Sequence, residues 1–182
     1  MVERVAGASG RSAFTLLDVA AGTGELPQTV RTLVAPSIDL RVTLLDRRAS
    51  HLGNSAARKT VGDALALPFC DASFDFVHCC LFVHHLAPNE VLAFAREALR
   101  CSRVALLIND LLRDPIHLAL AHAGRPIYRS RLTRHDAPAS IRQAYTTAEI
   151  RRILEQCGAA RLEITRHWFY RVAAIAWKDA RV

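Results

Sequence analysis

The chain has 182 residues, 51% hydrophobic and 23% charged, which fits a globular protein and excludes a disordered or fibrous one. No apolar run reaches the ~18 residues of a membrane span, and residues 1–12 lack a signal-peptide core, so a cytoplasmic protein is expected. The net charge of +7 rests almost wholly on arginine, with no lysine-arginine block or aromatic-interleaved basic patch, so no nucleic-acid partner is expected.

The first predicted element opens at Thr15. Thr15, Leu16, Leu17 and Val19 suit a buried strand. Ala20, Ala21, Gly22, Thr23 and Gly24 carry little side-chain bulk, so a ligand can lie close to their backbone. A helical period follows from Glu25, with Leu26, Val30, Leu33 and Val34 as its apolar face and Pro27 tolerated in the first turn. Strand, small-residue turn and helix make the nucleotide-binding corner of an open α/β sheet. The dinucleotide fingerprint fails, because Pro27 stands where its third glycine belongs, and no Gly-Lys-Ser/Thr phosphate loop occurs. The run Asp18-Val19-Ala20-Ala21-Gly22-Thr23-Gly24 resembles motif I of the class I S-adenosylmethionine-dependent methyltransferases, Asp-x-Gly-x-Gly-x-Gly. Ala20 replaces the first glycine. The resemblance implies a cofactor cradle at Asp18, Ala20, Ala21, Gly22 and Gly24.

Residues 41–46 form the second predicted strand, ending on Asp46. A carboxylate there offers two acceptor oxygens to the vicinal hydroxyls of a ribose, with Arg47 or Arg48 near the adenine. Residues 47–54 read as a short helix. A brief third strand leads into Asp63-Ala64-Leu65-Ala66-Leu67-Pro68-Phe69, which resembles the family's next motif. That resemblance assigns Asp63 to the adenine amino group and the Ala64 N–H to the ring.

Residues 74–81 form the fourth and central predicted strand. Ligands of such sheets sit outside the carboxyl ends of the strands, so Cys80 and Leu81 should border the methionine part of the cofactor. The Asn/Asp-Pro-Pro-Tyr of amino-methylating enzymes is missing; the chain reads Cys79-Cys80-Leu81-Phe82. Cys70, Cys79, Cys80, Cys101 and Cys157 are odd in number and include no Cys-x-x-Cys, so reduced core thiols are expected and no structural metal site. His84 and His85 follow in a loop. As neighbours they are expected to point in different directions.

Residues 88–100 read as a helix and 104–109 as the fifth strand. Residues 111–145 are an insertion rich in arginine and histidine, longer than a connection needs, and read as a substrate cover. Thr146-x-x-Glu149 is a capping box for a helix bearing Ile150, Ile153, Leu154 and Cys157, stopped by Gly158. Residues 162–165 and 169–177 read as an antiparallel hairpin at the sheet edge.

The resemblance runs from Thr15 to Trp177 and is to small-molecule members of the family, methyltransferase type 11 and the ubiquinone- and menaquinone-biosynthesis enzymes. It implies a single domain over residues 1–182. Its fold is a Rossmann-like, seven-stranded, mostly parallel sheet with helices on both faces and the last strand antiparallel. It implies S-adenosylmethionine as cofactor and transfer of its methyl group to a nucleophile. By elimination the acceptor is expected to be small, neutral and phenolic or quinone-like, methylated on oxygen in preference to carbon. A phenol needs a base near neutrality, and His85 and His135 are the candidates. The alternatives are a silent cofactor-binding module working with a partner subunit and an RNA methyltransferase. Few residues precede motif I, so the insertion or a second copy in a homo-oligomer is expected to cover the cofactor.

Overall fold

The computed structural model describes Glu3, Gly7 and residues 11–34, 37–53, 56–124 and 131–179, with the backbone alone over 131–135. Its frame is a seven-stranded sheet in the order β3-β2-β1-β4-β5-β7-β6. The strands are β1 (Ala13–Val19), β2 (Asp39–Asp46), β3 (Arg58–Val61), β4 (Phe74–Cys80), β5 (Ser102–Leu111), β6 (Arg161–His167) and β7 (Arg171–Trp177). The first five are parallel, and β7 runs antiparallel to both β5 and β6. β7 is therefore internal, and only β6 lies at that edge. Residues 169 and 170 belong to the turn between these strands, where Phe169 and Tyr170 take φ of +60° and +55°.

Both faces of the sheet are apolar because every central strand is buried on both sides. On one face Phe14, Leu16, Leu44, Phe76, Leu107 and Trp177 pack with Val34 of α1 (Glu25–Val34). On the other, Leu17, Val19, Val77, Cys79 and Ile108 meet α2 (Pro88–Cys101) through Val91, Phe94, Ala95 and Ala98. α5 (Thr147–Leu154) adds Ile150 and Leu154 to that second face. Its capping box is formed: Thr146 Oγ1 accepts from the Glu149 N–H, and Glu149 accepts from the Thr146 N–H at 2.8 Å. The connection β1–α1–β2 and the connection β4–α2–β5 lead outward in opposite directions, so right-handed crossovers put their helices on opposite faces.

Three local expectations change. Leu26 and Leu33 are 43% and 71% exposed, so α1 buries only Pro27 and Val34 and rests more lightly on the sheet than its period suggests. After β2 a single 3-10 turn, Ala49–His51, replaces the helix over 47–54 within the described residues. Cys70 is exposed, unlike the buried Cys79, Cys101 and Cys157.

The insertion contains two helices, α3 (Pro115–Ala123) and α4 (Arg131–Gln143). Asp114 caps α3 by accepting from the N–H groups of Ile116 and His117, and Pro115 takes the first helical position. The end of the insertion is tied to the sheet, since Arg113 N–H donates to the Tyr145 carbonyl. Tyr145 Oη donates to the Leu86 carbonyl at 2.5 Å.

Candidate functional site

The carboxyl ends of β1, β2, β4 and β5 open at one end of the sheet, and the turn after β1 is built for close approach. Ala20, Gly22 and Gly24 all have positive φ, at +56°, +53° and +75°. A Cβ on Gly24 would stand 2.4 Å from Leu44 Cδ1, and Leu44 is fully buried, so glycine is required there. Above Gly22 nothing lies within 4 Å of an added Cβ, which leaves its backbone open to a ligand. Ala20 sits in the left-handed region with a Cβ, a conformation that costs about 1–2 kcal/mol.

Asp46 ends β2 as expected and is 7% exposed. Its Oδ2 accepts from the Gly22 N–H at 3.2 Å, so the acid pins the turn. Its Oδ1 accepts from the Arg48 N–H and faces His51 Nδ1, both at 3.1 Å. Three of about four acceptor positions are thus engaged. The His51 side chain is half exposed. Arg47 is exposed.

Asp18 is 3% exposed and meets His78 Nδ1 at 2.5 Å. The two are cross-strand partners of β1 and β4 and so share a face. Asp63 is exposed, with Oδ1 accepting from the Leu65 N–H at 2.9 Å. The loop carrying Asp63 and Ala64 is clamped from α2. Glu97 accepts from the Leu67 N–H, and Arg100 donates to the carbonyls of Leu67 and Phe69. Hydrogen bonds from Arg100 hold the Glu97 carboxyl below its usual range. Pairing with Glu97 and Asp71 raises the Arg100 value, so both partners stay charged.

At the end of β4, Leu81 has φ of +54° and its side chain turns outward, 40% exposed. Burial raises the Cys80 thiol, so it is a neutral wall and not a nucleophile. His84 and His85 do not diverge: their rings lie 4.0 Å apart, tilted by 40°. The 3-10 turn Val83–His85 stacks them. His84 is buried with Nδ1 2.6 Å from Asp110 Oδ1, while Asp110 Oδ2 accepts from the Phe82 N–H at 2.9 Å. His85 is exposed; lost hydration, then the charge of His84, hold its pKa below the ordinary value. α4 packs against this turn. The side chain of His135 lies outside the described residues.

Two groups at this end were not singled out by the sequence. Asn109 on β5 is the register partner of Cys80, and Arg171 on β7 is the partner of Leu111. Asn109 Oδ1 and Arg171 Nη1 are buried with no hydrogen-bond partner among the described residues. No group of three or more His, Cys, Asp or Glu that could hold a metal occurs among the described residues.

Residues 17–104 match the family described as Methyltransferase domain. The matched segment and the fold are like those of S-adenosylmethionine-dependent methyltransferases. Solved structures agree in fold. An S-adenosylmethionine-dependent methyltransferase from Aquifex aeolicus is 20% identical with a TM-score of 0.67, covering 97% of this chain and 89% of that one. A putative methyltransferase from Bacillus halodurans is 19% identical with a TM-score of 0.61, each chain covered to 98%. Human N-acetylserotonin methyltransferase, solved with S-adenosylmethionine, is 16% identical with a TM-score of 0.66, over 98% of this chain and 51% of that one. No curated protein matches. The open backbone at Gly22 and the acid at Asp46 fit the cofactor of such methyltransferases. No helix among the described residues is long and apolar enough to cross a membrane.

Proposed function

We propose that the protein is a methyltransferase that acts on a small phenolic or quinone-like acceptor and methylates it on oxygen. The observation that carries this reading is the His84–His85–Asp110 cluster beside the end of β4. Bound S-adenosylmethionine supplies an electrophilic methyl group on a sulfonium centre. Asp18, Ala20, Ala21, Gly22 and Gly24 line its cradle, Asp46 and Arg47 take the ribose side, and Asp63 and Ala64 take the adenine. Cys80 and Leu81 border the methionine end. Asp110 fixes His84, and burial, then the charge of His84, lower the His85 pKa and so favour the neutral ring that a base needs. His85 takes the hydroxyl proton while the acceptor oxygen takes the methyl. Holding the reactants in line can supply ~7–11 kcal/mol of the barrier. Residues 111–145 serve as the cover within one domain, because α4 lies against the turn that carries His85.

The test is release of S-adenosylhomocysteine with p-cresol, 4-hydroxybenzoate and a hydroxynaphthoquinone as acceptors, with the product located by mass spectrometry. An O-methyl product whose formation falls about 100-fold in His85→Ala supports the reading. Turnover confined to amines or to RNA overturns it.

A further inference from the structure

Arg171 and Asn109 are polar residues at the site end of the sheet that the cofactor cradle does not explain. β5 and β7 lie beyond β4, on its far side from β1 and the glycine turn. Register puts Cys80, Asn109, Leu111 and Arg171 on one face at the site end of the sheet. The charge of the Arg171 guanidinium bears on the Cys80 thiol, opposing the larger effect of burial. Its Nη1 is buried without a partner among the described residues, as is Asn109 Oδ1. Arg171 makes no ion pair with a carboxylate among the described residues. A buried guanidinium N–H left unmatched is costly, and an incoming carboxylate removes that cost with a charge-assisted bond.

An apolar cavity of about 150 Å³ lies beside Leu111 and Phe169, which neighbour Arg171 on β5 and in the turn before β7. Its walls include Leu111, His117, Leu120, Ile141 and Phe169. Leu111 is the cross-strand partner of Arg171, and Phe169 precedes Arg171 by one turn residue. The ring of His117 is fixed by stacking on Tyr170 at 4.9 Å. A dry cavity of ~150 Å³ accepts a single benzene-sized ring.

We infer that Arg171 recognises a carboxylate of the acceptor, which is a monocyclic hydroxyaromatic acid with its ring seated in the cavity beside Leu111 and Phe169. This rests on the reading of the enzyme as one that methylates a small hydroxylated acceptor, and it replaces the neutral molecule expected from the sequence by an anion. Arg171 supplies the donor for the carboxylate, and the hydroxyl is left to His85. A neutral analogue leaves the guanidinium unmatched and is rejected for that reason.

The experiment is calorimetry on the protein saturated with S-adenosylhomocysteine, titrated with 4-hydroxybenzoate and with 4-hydroxybenzamide. The acid should bind at least tenfold more tightly than the amide. In Arg171→Gln that preference should fall to within twofold, and Arg171→Lys should retain part of it. Equal binding of acid and amide, no binding of either at millimolar concentration, or a preference that survives Arg171→Gln overturns the inference. A separate arm measures cofactor affinity. If Arg171→Gln weakens S-adenosylhomocysteine tenfold but leaves 5′-methylthioadenosine unchanged, the carboxylate belongs to the cofactor and the acceptor assignment is overturned. Unchanged affinity for both supports the acceptor. An acid that binds through Arg171 yet is never O-methylated sinks the proposed reaction and leaves this site standing.

Discussion

The two ends of the sheet treat charge in opposite ways. At the amino end Asp75 is 1% exposed and fully engaged. It accepts from Arg11 Nη1, the Thr15 N–H and Thr15 Oγ1 at 2.8, 2.8 and 2.9 Å. Burial pushes its carboxyl up, but the hydrogen bonds from Arg11 and Thr15 win and hold it below its usual value. An open groove of about 1250 Å³ runs past the strand starts at this end, lined by Thr15, Thr43, Arg58 and Ser73 among others. At the carboxyl end Asp46 shares its oxygens with a half-exposed histidine, and Asn109 and Arg171 keep atoms unmatched among the described residues. The lesson is about spare valence. Saturated polar groups fix the fold, and unsaturated ones mark where a ligand completes the structure. The volume of a groove says little beside that.

The comparison breaks most sharply at His85. His85→Ala should lower kcat about 100-fold with KM little changed. In the parent enzyme kcat/KM should rise with pH through a midpoint below 6.5, since burial and His84 lower the His85 pKa and only the neutral ring is a base. The variant should lose that acid limb.

Asp75→Asn tests the saturated end. It should cost about 2 kcal/mol in urea unfolding, the worth of a charge-assisted bond, while S-adenosylhomocysteine affinity stays unchanged. The folded value is depressed, so the contribution is present above the unfolded value of 3.8 and lost as pH falls through the folded one. Acid unfolding of the parent should therefore be steeper than that of the variant. A loss of cofactor affinity instead would join the two ends and end the contrast.

Asp46→Ala should weaken S-adenosylhomocysteine at least tenfold by calorimetry, because a two-oxygen contact and the pin on Gly22 both go. Unchanged affinity in the folded variant would remove the ribose assignment. The smallest effect is Ala20→Gly. Relief of the left-handed alanine should add about 1 kcal/mol of stability, measured by the urea midpoint at constant slope.

The sequence by itself determined what is local. The β1 turn was legible because small residues and positive-φ glycines act on their own backbone, and the spacing of Asp46 and Asp63 follows from strands that each end at the same side of a parallel sheet. The capping box at Thr146 was legible for the same reason, since its partners are three residues apart. Weaker local signals misled: the apolar spacing of Leu26 and Leu33 has nothing to pack on, and no neighbour turned residues 47–54 into a helix. Only the tertiary structure decided which distant groups meet. His84 finds Asp110 because β5 lies beside β4, and the turn stacks His85 on it. Arg171 comes to the same end of the sheet as Cys80 because β7 inserts antiparallel between β5 and β6. Strand order is set by the packing of two whole faces, and no pattern within a strand records which neighbour it will have.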